Sequence, residues 1–130
     1  MTIQRFEEIE GWQAARELVN SIYDLTMNGD FAMDFGLCDQ IRRAAGSSMH
    51  NIAEGFDAGS NTEFVRFLRY SQRSCTEVKS QLYLAKDRKY ISEQEFSRSY
   101  RMAETVHSKV GGFINYLLRS KRQQLRTANP

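Results

Sequence analysis

The chain contains a single proline, Pro130, and it is the last residue. Proline breaks helices because it lacks a backbone donor and its ring clashes with the preceding turn. Its absence from the interior therefore favours long, uninterrupted helices. The sequence also lacks any apolar run near the roughly 18 residues that a bilayer-spanning helix needs. This excludes the insertion of a helix across a membrane.

Cysteine is scarce, and the two that occur, Cys38 and Cys75, have neither CxxC spacing nor the spacing of a zinc site. The N-terminus lacks the basic start and apolar run of a secretory leader. We therefore expect a cytoplasmic protein in which both thiols are reduced and serve as small apolar groups of the core.

Net charge is also low, at +2 from 18 basic and 16 acidic residues, which is too little to indicate nucleic-acid binding from bulk electrostatics. The charges are unevenly placed, because the start "RFEEIE" is acidic and the end "RSKRQQLR" is basic. Two interpretations stay open: the two ends attract each other within a bundle, or a basic tail over residues 119–130 contacts RNA. The basic residues considered for that contact are Arg119, Lys121 and Arg122.

What the sequence does contain is helical periodicity. Its 130 residues, 41% of them hydrophobic, suit one domain with one core. Apolar residues recur at spacings of three and four in four segments, and no segment alternates as a strand would. We predict an all-α fold, an antiparallel up-down-up-down four-helix bundle that forms a single domain over residues 1–130. The predicted helices span about 7–28, 35–57, 61–88 and 93–121.

Polar residues separate these helices. Asn28-Gly29 suits a left-handed C-terminal cap, and Asp34 is predicted to cap the second helix. Capping-box patterns, "SNTE" at 60–63 and "SEQE" at 92–95, begin the third and fourth helices. The connection "DFAMDFG" is expected to cover one end of the bundle with three apolar side chains, those of Phe31, Met33 and Phe35.

The second predicted helix carries the unusual stretch "GSSMHNIAEG" at residues 46–55. Glycine in a helix costs about 1 kcal/mol relative to alanine, so Gly46 and Gly55 indicate a close approach of another helix. A carboxylate near a helix C-terminus also opposes the helix dipole. We predict a structural lock made of Asn51, Glu54 and Gly55. In it, Asn51 bridges helices, Gly55 permits their approach, and Glu54 binds a neighbouring helix N-terminus or an arginine.

Two patterns could carry chemistry instead. Glu104-x-x-His107 has the spacing of di-iron bundles, but the second such motif that those sites need is missing. His50 and Glu54 lie one turn apart, as an acid–base pair would, with Ser47 one turn earlier. No oxyanion loop or third group completes that arrangement. We therefore predict no catalytic, metal or cofactor residues and no small-molecule substrate, and keep an enzyme as the third alternative.

Basic residues accompany an aromatic one on the third predicted helix, at i, i+3 and i+7, and two more arginines lie on the second. Arginines at this spacing could track phosphates while the aromatic ring stacks on a base. A solvated face or a subunit interface would explain them equally well. The residues concerned are Arg42, Arg43, Arg66, Arg69, Tyr70 and Arg73.

The segment "QIRRAAGSSMHNIAEG", followed by "SNTEFVRFLRYSQRSCTEVKSQLYLAKDRKYIS", resembles the four-helix-bundle family of 23S rRNA intervening-sequence proteins, also called S23 ribosomal proteins. The likeness extends from about Phe6 to Leu118. It implies a small bacterial bundle without catalytic activity that assembles as a homopentamer, with genes often inside intervening sequences of large-subunit ribosomal RNA. A related bundle, the accessory protein of diversity-generating retroelements, binds nucleic acid and a reverse transcriptase. By analogy, this favours a ribonucleoprotein role.

Together these observations predict a self-associating helical protein that needs no cofactor. RNA or a ribonucleoprotein is the leading partner, a protein–protein scaffold without nucleic-acid binding is the runner-up, and catalysis ranks third.

Overall fold

The computed structural model describes residues 2–120, and their regular structure is entirely helical. A 3-10 turn over Phe6–Glu8 precedes five α-helices, which are α1 (Glu10–Thr26), α2 (Gly29–Met33), α3 (Phe35–Phe56), α4 (Asn61–Asp87) and α5 (Glu93–Arg119). The four long helices correspond to the four predicted ones. The short helix α2 was not predicted.

Three of the long helices begin at side chains that cap them. Asp34 accepts a hydrogen bond from the first turn of α3, and Ser60 accepts one from Glu63 N in α4. The capping box of α5 is complete, because Ser92 Oγ and Glu95 each accept from the other residue's backbone at 3.0 and 2.8 Å. At α4 only the serine half forms, since the Glu63 carboxylate binds an arginine instead. These caps explain why the predicted starts of the helices were accurate.

The connection between α1 and α3 is itself helical, and the predicted role of its apolar residues is only partly right. Gly29 has a φ of +59°, the left-handed conformation expected there. Phe31 is fully buried and stacks on Tyr90, with ring centroids 5.2 Å apart. Met33 and Phe35, however, are 70% and 73% exposed, so the prediction that they cover the bundle end is wrong. Met33 follows Phe31 by two helical positions, about 200° around the axis, and so faces outward.

The core is formed by one stripe of each long helix, as the periodicity predicts. Five side chains at the edges of these stripes are only half-buried: Val19, Met49, Phe56, Phe67 and Tyr100. In α5, Ile114 is buried and Phe113 is half-buried. The largest fully buried side chains include Leu18, Ile22, Ile41, Ile52, Leu68, Leu82, Val106 and Leu117.

Each long helix packs against two others. α1 contacts α3 and α5, α3 contacts α4, and α4 contacts α5. Hydrogen bonds fix two of these contacts: Ser71 Oγ donates to Ser48 O at 2.7 Å, and Gln72 Nε2 donates to His107 O at 3.2 Å. The middle of α4 is therefore held to α3 on one side and to α5 on the other.

Residues from four segments meet at one end of the bundle, which we call the α2 end. The Tyr90 hydroxyl, in the connection from α4 to α5, donates to Asp34 at 2.9 Å. The Cys38 thiol of α3 lies 3.7 Å from the carbonyl oxygen of Thr26, which ends α1. The backbone N–H of Leu37 and the Tyr90 hydroxyl hold the pKa of Asp34 below its usual value. These contacts therefore hold the residues of the α2 end in place.

Candidate functional site

Small and hydroxylated residues occupy the contact between α3 and α4, which we call the seam. A Cβ atom placed on Gly55 would lie 2.8 Å from Phe67 Cβ and 2.9 Å from Phe64 Cδ1. These distances are too short for any side chain, so α4 approaches α3 as closely as it does because residue 55 is glycine. This geometry is the one expected for the predicted role of Gly55, which is to permit helix approach.

Hydroxyl groups complete the seam. Besides the bond from Ser71 to Ser48, Ser74 Oγ donates to Ser47 Oγ at 2.9 Å. Asn51 Nδ2 donates to Ser47 Oγ and to Ser47 O, at 2.8 and 2.9 Å. The prediction that Asn51 itself bridges helices is therefore wrong, because its amide binds its own helix one turn earlier. The serines make the link, and Asn51 orients one of them.

Glu54 also differs from its predicted role. Its side chain is exposed, and within residues 2–120 it makes no hydrogen bond or ion pair. The nearest helix N-terminus, that of α4, is already capped by Ser60. Arg66 of α4 is bound to Glu63 at 2.7 Å. The prediction that Glu54 is paired within the bundle is thus wrong. Pairing with a second copy stays a prediction.

On its outward side, α3 is only partly covered by the neighbouring helices α1 and α2. A groove of about 950 Å³ lies between α1, α2 and the outward side of α3. Gly46 lies in the floor of this groove. An added Cβ there would meet only the ring of His50 on the same helix, at 3.6 Å. Glu54 and Asn51 lie at one end of this groove, and Met27 and Phe35 line the other. We call it the open groove.

Large apolar side chains are exposed around the α2 end of the open groove. They belong to α1, to the residue after α1 and to the first residue of α3. We call them the apolar rim, which comprises Tyr23, Met27 and Phe35. Single exposed apolar residues are common, but a cluster beside a concave surface marks an interaction site.

The predicted arginines of α4 form an exposed ridge, the arginine ridge, made of Arg66, Arg69 and Arg73 beside Tyr70. Arg66 binds Glu63 through Nε and Nη2 and donates to the Tyr70 hydroxyl at 2.7 Å. Its hydrogen bonds hold the pKa of Glu63 below the usual value. Arg73 lies over the Tyr70 ring, 5.6 Å from its centroid. Arg69 is exposed and has no hydrogen bond or ion pair with any described residue.

The other predicted basic residues do not join this ridge. Arg42 points toward α1, where its Nε donates to Thr26 Oγ1 at 2.8 Å and its guanidinium lies 4.6 Å from the Tyr23 ring centroid. Arg43 pairs with Asp39 one turn earlier, at 2.9 Å. Arg119 is exposed at the end of α5. Lys121 and Arg122 lie outside the described residues.

Sequence reasoning missed a second basic and aromatic surface, formed where α4 packs on α5. Lys79, Tyr83 and Lys86 of α4 lie there beside Phe96 and Tyr100 of α5. We call it the lysine–aromatic face. The spacing of its α4 residues, i, i+4 and i+7, was a usable signal. The aromatic partners Phe96 and Tyr100 gave no such signal, because they belong to a different helix, α5.

The thiols and acidic groups give no indication of catalysis. Both cysteines are free and buried, and burial raises the pKa of Cys75 to about 12 and also raises that of Cys38. Reactive cysteines have lowered pKa values, the opposite shift.

Among residues 2–120, no three His, Cys, Asp or Glu side chains are placed to hold a metal ion. The same residues include no helix with the length and apolar character to span a bilayer.

Comparison with known proteins identifies relatives of this chain. Residues 7–112 match the family described as 23S rRNA-intervening sequence protein. A crystal structure of a protein of unknown function from the S23 ribosomal protein family of Bacteroides thetaiotaomicron is similar in fold, with a TM-score of 0.73. Its sequence is 20% identical, and the superposition covers 80% of this chain and 97% of that one. No curated protein matches. Because the family match spans most of the sequence, the chain belongs to the 23S rRNA-intervening sequence protein family.

Proposed function

We propose that this protein is a non-enzymatic, cytoplasmic interaction protein that assembles with copies of itself through the open groove and the apolar rim. The observation that carries this proposal is the grouping of three exposed apolar side chains around one concave surface. Burying a Met, Phe or Tyr side chain of this size is worth about 1.5–3 kcal/mol. The rim thus supplies a large free energy for association.

The shape and charge of the open groove support a helix of a second copy as its occupant. Gly46 leaves room for another backbone to approach α3. Glu54 supplies an exposed carboxylate for an arginine of that copy, such as Arg69, which is unpaired within its own described chain. The subunit number we propose is five, which the family resemblance alone implies.

We also propose the predicted antiparallel up-down-up-down arrangement of α1, α3, α4 and α5. Cross-helix contacts support it. A Cβ atom placed on Gly11, near the start of α1, would lie 3.1 Å from Val110 Cγ2 in the second half of α5. Asn61, which begins α4, donates to Leu117 O near the end of α5 at 3.4 Å.

Light scattering of the purified protein tests self-association. We expect a molar mass that is a multiple of 15.1 kDa. Replacing Met27 and Phe35 together by Glu should give monomers, because two charges would be buried at the interface. The matched control is Leu118→Glu, since Leu118 is also an exposed apolar residue but lies far from the rim, at the end of α5. A monomeric wild-type protein, or a double variant with the wild-type mass, would contradict the proposal.

RNA is the second candidate partner, and the arginine ridge is the observation that favours it. Arg69 and Arg73 are exposed on one side of α4, where they can contact successive phosphates. The Tyr70 ring lies beside them, with the Arg73 guanidinium over it. A gel shift with ribosomal RNA should weaken steeply with added salt, and Arg69→Ala with Arg73→Ala should lower its salt dependence. Arg43→Ala is the control, because Arg43 is exposed but paired with Asp39. Absence of any shift at low salt would instead favour the scaffold without nucleic acid.

A further inference from the structure

The lysine–aromatic face combines three aromatic rings in mutual contact with the ammonium groups of two lysines. Three rings meet there: Tyr83 lies 4.8 Å from Phe96 and 5.9 Å from Tyr100, and Phe96 lies 5.5 Å from Tyr100, as centroid distances. The pairs are tilted or perpendicular, so the rings do not cover one another face to face. Tyr83 remains 49% exposed.

Two ammonium groups lie on this ring cluster. Lys79 Nζ is 5.1 Å from the Tyr100 centroid, and Lys86 Nζ is 4.3 Å from that of Phe96 and 5.5 Å from that of Tyr83. Cation–π contacts of this kind hold the charges over the ring faces. The ion pair between Lys86 and Glu93 is long at 3.7 Å, and their side chains are 28% and 80% exposed. Lys79 has no ion pair with any described residue and Lys86 has only this long one, so both can still contact an anion.

We infer that the lysine–aromatic face binds single-stranded RNA, with a base stacked on Tyr83 and the adjacent phosphates on Lys79 and Lys86. This inference rests on the proposed partnership with RNA and adds the place and the strandedness of binding. Single-strand binding proteins combine the same two elements, exposed aromatic faces and positive charges along the backbone path. At the arginine ridge, the Tyr70 ring lies under the guanidinium groups of Arg66 and Arg73, and Arg66 also bonds to its hydroxyl.

A single strand suits this face better than a duplex or an acidic peptide. In a duplex the bases are stacked on each other, so their faces are not available to Tyr83. An acidic peptide would use the two lysines but would leave the exposed tyrosine ring without a partner. Stacking on a ring face, rather than charge alone, is thus the feature that separates these ligands.

The test is fluorescence anisotropy of the full-length protein with labelled oligouridine of about 12 nucleotides at low salt. Tyr83→Ala should weaken binding about 5- to 100-fold, because stacking of one base is lost. Tyr83→Phe keeps the ring and should bind within about twofold of wild type. Lys79→Gln should reduce the salt dependence by about 0.7 in the logarithmic slope, as expected for one phosphate contact. Melting temperatures of all variants check that each one is folded.

The outcomes separate this inference from the RNA proposal. If oligouridine and ribosomal RNA both fail to bind at low salt, both are wrong. If RNA binds but Tyr83→Ala binds oligouridine as wild type does, only the inference about this face is wrong. Equal competition by duplex RNA or by polyglutamate would also overturn it. Photo-crosslinking of 5-bromouridine to Tyr83 would support it directly.

Discussion

The two sides of α3 use the same kind of residue in opposite ways. On the side of α4, Gly55 is closed over by Phe64 and Phe67, with no room even for a methyl group. On the outward side, Gly46 lies in the floor of the open groove and has only its own helix near it. One glycine therefore serves the fold of a single chain. The other leaves space that no described residue fills.

The polar groups follow the same division. On the closed side, Ser71 and Ser74 bond across the seam to Ser48 and Ser47, so the hydroxyls are satisfied within the chain. On the open side, Glu54 is exposed without a partner in the described chain. Besides its contacts with α1 and α4, α3 thus presents small residues to a groove that no described residue fills. This difference is the basis for proposing a second copy in the groove.

The strongest challenge to the closed side is Gly55→Ala. A methyl group would meet Phe67 Cβ and Phe64 Cδ1 at about 2.8 to 2.9 Å, so α3 and α4 must separate. We expect a loss of about 1–3 kcal/mol in the free energy of unfolding, measured by urea denaturation at fixed protein concentration. The control is Gly112→Ala in α5, where an added Cβ has open space. That change should instead raise stability by up to about 1 kcal/mol. Equal effects of both substitutions would show that the seam is not tight.

A second prediction concerns pH and the buried thiol of α4 next to the seam. Burial raises the pKa of Cys75 to about 12, whereas an unfolded thiol ionises near pH 8.5. Above that pH the unfolded state releases a proton that the folded state keeps, so stability falls as pH rises. We expect Cys75 to account for a loss of about 1–2 kcal/mol between pH 8 and pH 10. Urea titrations of wild type and Cys75→Ala at both pH values measure it, and parallel losses in the two proteins would contradict it.

The serine link across the seam should have a smaller effect. Ser71→Ala removes the hydrogen bond to Ser48 O and should cost about 1 kcal/mol. Thr105→Ala is the comparison, because Thr105 Oγ1 bonds only to its own exposed helix, at Arg101 O. Its effect should lie within about 0.5 kcal/mol of zero. Thermal unfolding of the two variants distinguishes a link between helices from a local bond.

The smallest change is expected on the open side, from Gly46→Ala. The methyl group fits, since its nearest neighbour is the His50 ring at 3.6 Å. Alanine is the better helix former, so Gly46→Ala made in the monomeric double variant Met27→Glu, Phe35→Glu should raise stability by about 0.5–1 kcal/mol, measured by urea denaturation. A clear loss of stability there would mean that the groove floor is packed within the chain.

Much of this division could be predicted from the sequence, because it depends on local patterns. The apolar periodicity located the buried stripes, the two serine caps located the starts of α4 and α5, and the small residues of "GSSMHNIAEG" indicated a close helix contact. These features involve residues within one or two turns of each other. The family resemblance extended over the same part of the chain and is confirmed.

What could not be predicted depends on which residue competes for a given partner. Glu63 forms its strongest contact with Arg66 rather than with the backbone of Ser60, which leaves α4 with half a capping box and Glu54 without that arginine. Asn51 has Ser47 within reach on its own helix, so it does not need a neighbour. Such choices are set by distances of a few tenths of an ångström, which spacing alone does not contain.

Light scattering at several protein concentrations tests the central claim most directly. If the open side of α3 is a subunit contact, the wild-type protein has a molar mass that is a multiple of 15.1 kDa, and replacement of Met27 and Phe35 by Glu reduces it to one folded chain. A wild-type protein that stays at the mass of one chain at every concentration would contradict the account.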